Sequence, residues 1–92
     1  IMGVYPNPFK ANGNDAIQLK YFSPQNIPFT FKVYNLKGQL IYTQTFFPEG
    51  KVIQEIKWNG RDNKGNLSPN GMYLIEILQG SKNHKSKLII VK

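Results

Sequence analysis

The chain predicts an all-β sandwich of about seven antiparallel strands in two sheets, with a small closed barrel as the alternative. Three observations carry this. Apolar and polar residues alternate with period two in short runs. Each run is bounded by turn residues, chiefly Gly, Pro, Asn and Ser. No stretch sustains the three-to-four spacing of a helix. The 92 residues suffice for one domain, residues 1–92, and show no internal repeat, linker or low-complexity segment.

The first element is a short piece around Val4 and Tyr5. From Ala16 to Phe22, Ile17, Leu19 and Tyr21 share one face and Gln18 and Lys20 the other, until Ser23, Pro24 and Gln25 end the run. Phe29 to Tyr34 repeats the pattern, with Phe29, Phe31 and Val33 inward. The four-residue connection Asn35-Leu36-Lys37-Gly38 follows, whose glycine accommodates the positive φ that closes an antiparallel hairpin. Gln39 to Phe47 is rich in Ile, Tyr, Thr and Phe, which suit a half-buried pleat, and Pro48, Glu49 and Gly50 break it. Phe46 and Phe47 face opposite ways, so one of them must cover an edge, pack beneath the Pro48 loop or meet a partner.

Val52 to Trp58 sends Ile56 and Trp58 into the core. The polar stretch Asn59 to Asn66 is neither strand nor helix. Met72 to Leu78 is a strand with Tyr73, Ile75 and Ile77 on one face. Gln79 to Asn83 turns the chain, and Lys87 to Val91 is the last strand.

Twelve basic residues oppose five acidic ones, a net charge of +7, yet every basic residue except Arg61 is a lysine and most stand singly. Nucleic-acid sites rely on arginine for bidentate contacts and gather basic residues on one face, so no nucleic-acid partner is expected. Lys82, Lys85, Lys87 and Lys92 alone form a loose group. Without cysteine there is no disulfide, thiolate metal site or thiol nucleophile. No apolar run approaches the roughly 18 residues of a membrane helix. Met2 stands second and no basic start leads into an apolar stretch, so the chain reads as a piece of a longer polypeptide.

Catalysis lacks its parts. His84 is the single histidine and is read as a solvated turn residue between Asn83 and Lys85. The carboxylates Asp15, Glu49, Glu55, Asp62 and Glu76 lie on separate turns and strands, so no enzyme, catalytic residue, cofactor or metal is expected. Ordinary turn chemistry outweighs a calcium reading of the Asn59–Asn66 loop, in which Asp62 is the sole charged oxygen donor. A sugar ligand remains as an alternative, with Tyr34, Tyr42, Phe46, Phe47 and Trp58 as the aromatic rings a platform needs.

Three segments read together resemble a known family. They are Val4-Tyr5-Pro6-Asn7-Pro8-Phe9, the hairpin Val33-Tyr34-Asn35-Leu36-Lys37-Gly38, and Trp58-Asn59-Gly60-Arg61-Asp62-Asn63-Lys64-Gly65 followed by Pro69-Asn70-Gly71-Met72-Tyr73. This order is similar to that of the immunoglobulin-like domain of flagellar hook-capping proteins and of the C-terminal sorting domains exported by the type IX secretion system. The motif residues are Tyr5, Pro6, Asn7, Pro8, Phe9, Gly38, Trp58, Gly60, Gly65, Gly71 and Tyr73, all read as structural. Asn35 and Asn59 stand where the pattern usually has aspartate. The long Trp-to-Tyr loop is nearer the hook-capping version.

The resemblance implies an immunoglobulin-like sandwich serving as the non-catalytic C-terminal accessory module of a secreted or cell-surface bacterial protein, associated with the outer membrane. Its partners would be the secretion machinery or other protein domains. The implied sorting or docking residues are Lys87, Leu88, Ile89, Ile90, Val91 and Lys92, read through an exposed edge or the last strand. The alternatives are a structural spacer or assembly module of the hook-capping type and a carbohydrate-binding sandwich attached to a secreted hydrolase.

Overall fold

Alternation decides which side chains enter the core. The computed structural model describes residues 3–23, 27–48 and 52–91. Within them lie β1 (Phe9–Lys10), β2 (Ile17–Ser23), β3 (Phe29–Asn35), β4 (Leu40–Phe46), β5 (Val52–Trp58), β6 (Gly71–Gln79) and β7 (Lys82–Val91), with no helix among the described residues. Five strands form one sheet in the order β1-β7-β6-β3-β4, and β2 and β5 form the second.

Period-two positions supply the core between the sheets. β2 contributes Ile17, Leu19 and Tyr21, β3 Phe29, Phe31 and Val33, and β5 Ile56 and Trp58. β6 adds Tyr73, Ile75 and Ile77, and β7 adds Leu88 and Ile90. Each such fully buried side chain stabilises the fold by about 1.5–3 kcal/mol. The aromatic rings interlock, with Tyr21 tilted on Phe29 at 4.8 Å and Tyr42 at 5.9 Å from Trp58. Phe46 stacks on Phe29 at 5.1 Å, whereas Phe47 is 76% exposed, which settles how the adjacent pair divides.

The β3–β4 hairpin closes as expected, with Gly38 at φ 80° and a bulge between Val33 and Tyr34. Asn35 Oδ1 accepts the amides of Lys37 and Gln39, both at 3.0 Å, and so holds the turn without a charge.

Three expectations need correcting. The first strand is Phe9–Lys10 rather than the piece around Val4 and Tyr5, and it pairs parallel with β7. Tyr5 forms only an isolated bridge to Gln18, because Pro6 and Pro8 have no amide hydrogen to continue a ladder. The turn after β6 is confined to Gly80 and Ser81, so β7 begins at Lys82. Gln79 belongs to β6 and is buried. It accepts the Tyr21 hydroxyl at 2.6 Å and donates to Ser23 Oγ at 2.9 Å and the Ile27 carbonyl at 3.0 Å. His84 is therefore a half-buried strand residue, its ring 5.7 Å from Tyr21, and not a solvated turn residue. Pro24, Gln25, Glu49, Gly50 and Lys92 lie outside the described residues.

Gly60 and Gly65 separate backbone strain from crowding. Both have positive φ, 86° and 90°. A Cβ on Gly60 would lie 3.1 Å from both Phe9 and Ala11, whereas nothing lies within 4 Å of one on Gly65. Gly65→Ala is expected to cost about 1 kcal/mol, from the left-handed conformation alone. Gly60→Ala is expected to cost about 2–3 kcal/mol, because crowding adds to the strain. Urea unfolding midpoints of the two variants check the order.

Candidate docking surface

The last strand is held on both of its edges along Lys87–Ile90. On one side it pairs with β6 from Gln79↔Lys82 to Gly71↔Ile90. On the other, β1 pairs with Ile90 and Val91, and the Ala11 amide donates to the Val91 carbonyl at 3.0 Å. Beyond β1 the proline-flanked Asn7 takes over. Its side-chain amide donates to the Lys87 carbonyl at 3.0 Å, and its Oδ1 accepts the Ile89 amide at 3.0 Å. One side chain thus does the work of a neighbouring strand where Pro6 and Pro8 forbid one. The same segment grips the second sheet, for Tyr5 and Gln18 exchange backbone hydrogen bonds of 3.1 and 2.7 Å.

The opposite edge of the five-stranded sheet is covered by the polar loop. Asn63 donates its amide to the Ile41 carbonyl at 3.3 Å, its Oδ1 accepts the Thr43 amide at 2.9 Å, and its Nδ2 donates to the Thr43 carbonyl at 3.2 Å. Trp58 Nε1 anchors the start of this loop on the Arg61 carbonyl at 2.8 Å. The Tyr73 hydroxyl anchors its far end on the Pro69 carbonyl at 2.6 Å. Asn59 Oδ1 accepts the Arg61 amide at 3.0 Å, a turn role that needs no carboxylate. Asp62 Oδ1 accepts the amides of Lys64 and Asn66, each at 2.9 Å, and these bonds hold its carboxyl below the usual range. That oxygen is occupied by N–H donors, which is the ordinary turn chemistry expected of this loop.

The expected docking residues divide between core and surface. Leu88 and Ile90 are buried, while Lys87, Ile89 and Val91 face outward, the last two about 40% and 39% exposed. The backbone of Lys87–Val91 is therefore already paired, and what this segment presents is a face. Outward neighbours on that face are Met72, Leu74 and Glu76 of β6, Tyr34 and Lys32 of β3, and Lys85 of β7. Glu76 is buried at 8% exposure. It accepts the Tyr34 hydroxyl at 3.1 Å and the Asn83 side-chain amide at 3.2 Å. Burial first, then the adjacent Glu76, pushes the Tyr34 phenol up, so it remains a donor.

The other candidates stay apart. Trp58 is in the core, Tyr42 packs edge-on to Phe31 at 6.0 Å, Phe46 is stacked and Tyr34 is bonded to Glu76, so the five rings form no exposed row. Asp15 accepts from Asn12 at 2.9 Å, and Glu55 pairs with Lys57 at 3.3 Å in the open. No group of three or more His, Cys, Asp or Glu side chains comes together among the described residues. The edge clamps escaped sequence reasoning. Pro6, Asn7 and Pro8 are read from the sequence only as structural motif residues, and nothing local names Lys87 and Ile89 as partners of Asn7.

A family model described as a secretion system C-terminal sorting domain matches residues 3–92. Two solved structures share the fold. PorZ, described as an essential bacterial surface component of the type-IX secretion system of Porphyromonas gingivalis, matches at TM-score 0.69 and 23% identity over 98% of this chain and 11% of that one. Dimeric latent PorU from the same organism matches at TM-score 0.72 and 20% identity over 96% of this chain and 9% of that one. The chain thus spans a small fraction of either structure's length. No curated protein matches.

Two outcomes are expected. Asn7→Ala removes two hydrogen bonds and is expected to cost about 1–2 kcal/mol in urea unfolding. By freeing the β7 edge it also raises concentration-dependent association, which light scattering reads. Asp62 has a folded-state pKa below its unfolded value, so its contribution is full at neutral pH and is lost as pH falls through the folded pKa. Asp62→Asn keeps the acceptor oxygen and should flatten the acid limb of the urea midpoint below about pH 4 relative to the parent.

Proposed function

Because the chain belongs to the family of secretion-system C-terminal sorting domains, we propose that it is the address of a larger bacterial protein, read by type IX export machinery, and that its last strand is what is read. A domain of this family is a non-catalytic signal that directs its protein to the bacterial cell surface or outer-membrane region. The family match along residues 3–92 carries the reading, and the fold shared with PorZ and PorU supports the type IX assignment.

Residues 1–92 serve as one module at the C-terminal end of the cargo. Recognition works through the outward face of the segment Lys87–Lys92, of which Lys87, Ile89 and Val91 are its described outward residues. The backbone of Lys87–Val91 is not free for strand addition, since Asn7 and β1 already occupy that edge. Side-chain recognition on a rigid sheet has an energetic advantage, because the partner orders nothing flexible on this side.

A reporter fused to the N-terminal side of the chain, expressed in a bacterium with a type IX system, is expected at the surface or in the medium. Deleting Ser86 to Lys92 should abolish export, but it also removes Leu88 and Ile90 from the core. The informative variant is therefore Lys87→Glu with Ile89→Asp and Val91→Asp, which leaves the buried positions intact. It should fold, as circular dichroism would show, and lose export. Export at the parent's level from the folded triple variant would exclude the last strand as the signal.

A further inference from the structure

The outward face described above contains a groove along the central strand β6. Its volume is about 450 Å³, and its floor is Met72, Leu74 and the buried Glu76. One wall is Tyr34 and Leu36, and the other is Lys85 and Lys87. The two walls differ in chemistry. Leu36 is 76% exposed and Tyr34 turns its hydroxyl onto Glu76, which leaves an apolar wall. Lys85 and Lys87 make no ion pair, the Lys57–Glu55 contact being the one found among the described residues.

We infer that this groove binds an extended, amphipathic acidic segment of a protein partner, with carboxylates directed at Lys85 and Lys87 and apolar side chains at Tyr34, Leu36 and Met72. The inference rests on the sorting reading, since the partner belongs to the machinery that reads this face, and it specifies that partner's chemistry. Two features select the occupant. Met72 to Glu76 spans four residue steps, about 13 Å at roughly 3.3 Å per residue, which accommodates about four residues of extended chain. Lys85 and Lys87 are two apart on one strand, so they repeat at the same interval as alternate side chains of a bound strand. An alternating acidic and apolar sequence therefore presents one chemistry to each wall.

Charge fixes the polarity of the fit. Glu76 is flanked in register by Lys32 and Lys85, while Tyr34 and Asn83 already satisfy its oxygens. The floor carboxylate therefore repels acids toward the lysine wall, and a basic segment would set its charges against unpaired ammonium groups. Complementary potentials of this kind govern selection among partners and the rate of encounter.

The test titrates the isotope-labelled chain with two short peptides of equal length, one alternating leucine with glutamate and one alternating leucine with lysine, and follows backbone amide shifts. The glutamate peptide should shift the amides of Leu74, Glu76, Lys85 and Lys87. Its affinity should fall about tenfold or more in the Lys85→Glu, Lys87→Glu variant and stay unchanged in Lys20→Glu, Lys57→Glu on the other sheet. The lysine peptide should produce no shift at these positions. Absence of groove shifts, shifts spread evenly over all lysine-bearing surfaces, or equal weakening by both charge-reversed variants would each overturn the inference. Loss of groove binding with export of the reporter intact rejects this partner and leaves the sorting reading standing. Groove binding without export does the reverse.

Discussion

A sheet of two strands has to cover a sheet of five, and the rest of the structure follows from that mismatch. Strands lie about 4.8 Å apart, so the five-stranded sheet is about 19 Å wide between its outermost strands and its partner only about 5 Å. β2 and β5 can shield the middle of the core but not its flanks. The flanks are closed by Tyr5 to Ala11 beside β7, of which only Phe9–Lys10 is a strand, and by the loop from Asn59 to Pro69 beside β4. Phe9 and Ala11, buried at 0% and 2% exposure, bring apolar surface to one flank, and Gly60 leaves room for them there.

Segments without a ladder must satisfy backbone groups in other ways, which explains the weight of asparagine in this chain. Asn7 and Asn63 each offer a side-chain donor and acceptor together, the pair an edge strand presents to its neighbour. A carboxylate could accept but not donate, so aspartate could not replace either. At Asn59 the side-chain oxygen accepts the Arg61 amide, and at Asn35 it accepts two amides while its Nδ2 donates to Gln39 Oε1 at 2.8 Å.

Closing the edges also decides how such a module can be read. A bare edge is a general template that pairs with many strands and invites aggregation. With Lys87–Ile90 clamped on both sides, the proposed recognition falls to the outward face. There lysines, exposed aliphatic groups and one buried carboxylate form a pattern that backbone pairing could not supply. The aromatic core makes this face rigid without disulfides, which a cysteine-free chain sent to the cell surface cannot use.

What the sequence determined by itself is the inward set: Ile17, Leu19 and Tyr21, Phe29, Phe31 and Val33, Ile56 and Trp58, Tyr73, Ile75 and Ile77. Each was legible because the period of two is a property of the extended backbone and needs no partner. The Gly38 hairpin was legible for the same local reason. The three motif segments in order made the family legible. The tertiary structure alone decided that β1 runs parallel to β7, that Gln79 and Glu76 are buried, that His84 lies in a strand, and that Asn7 clamps Lys87 and Ile89. Asn7 and Ile89 are 82 positions apart. Contacts of that kind depend on which strands become neighbours once both sheets have closed over the core, and no local pattern encodes that choice.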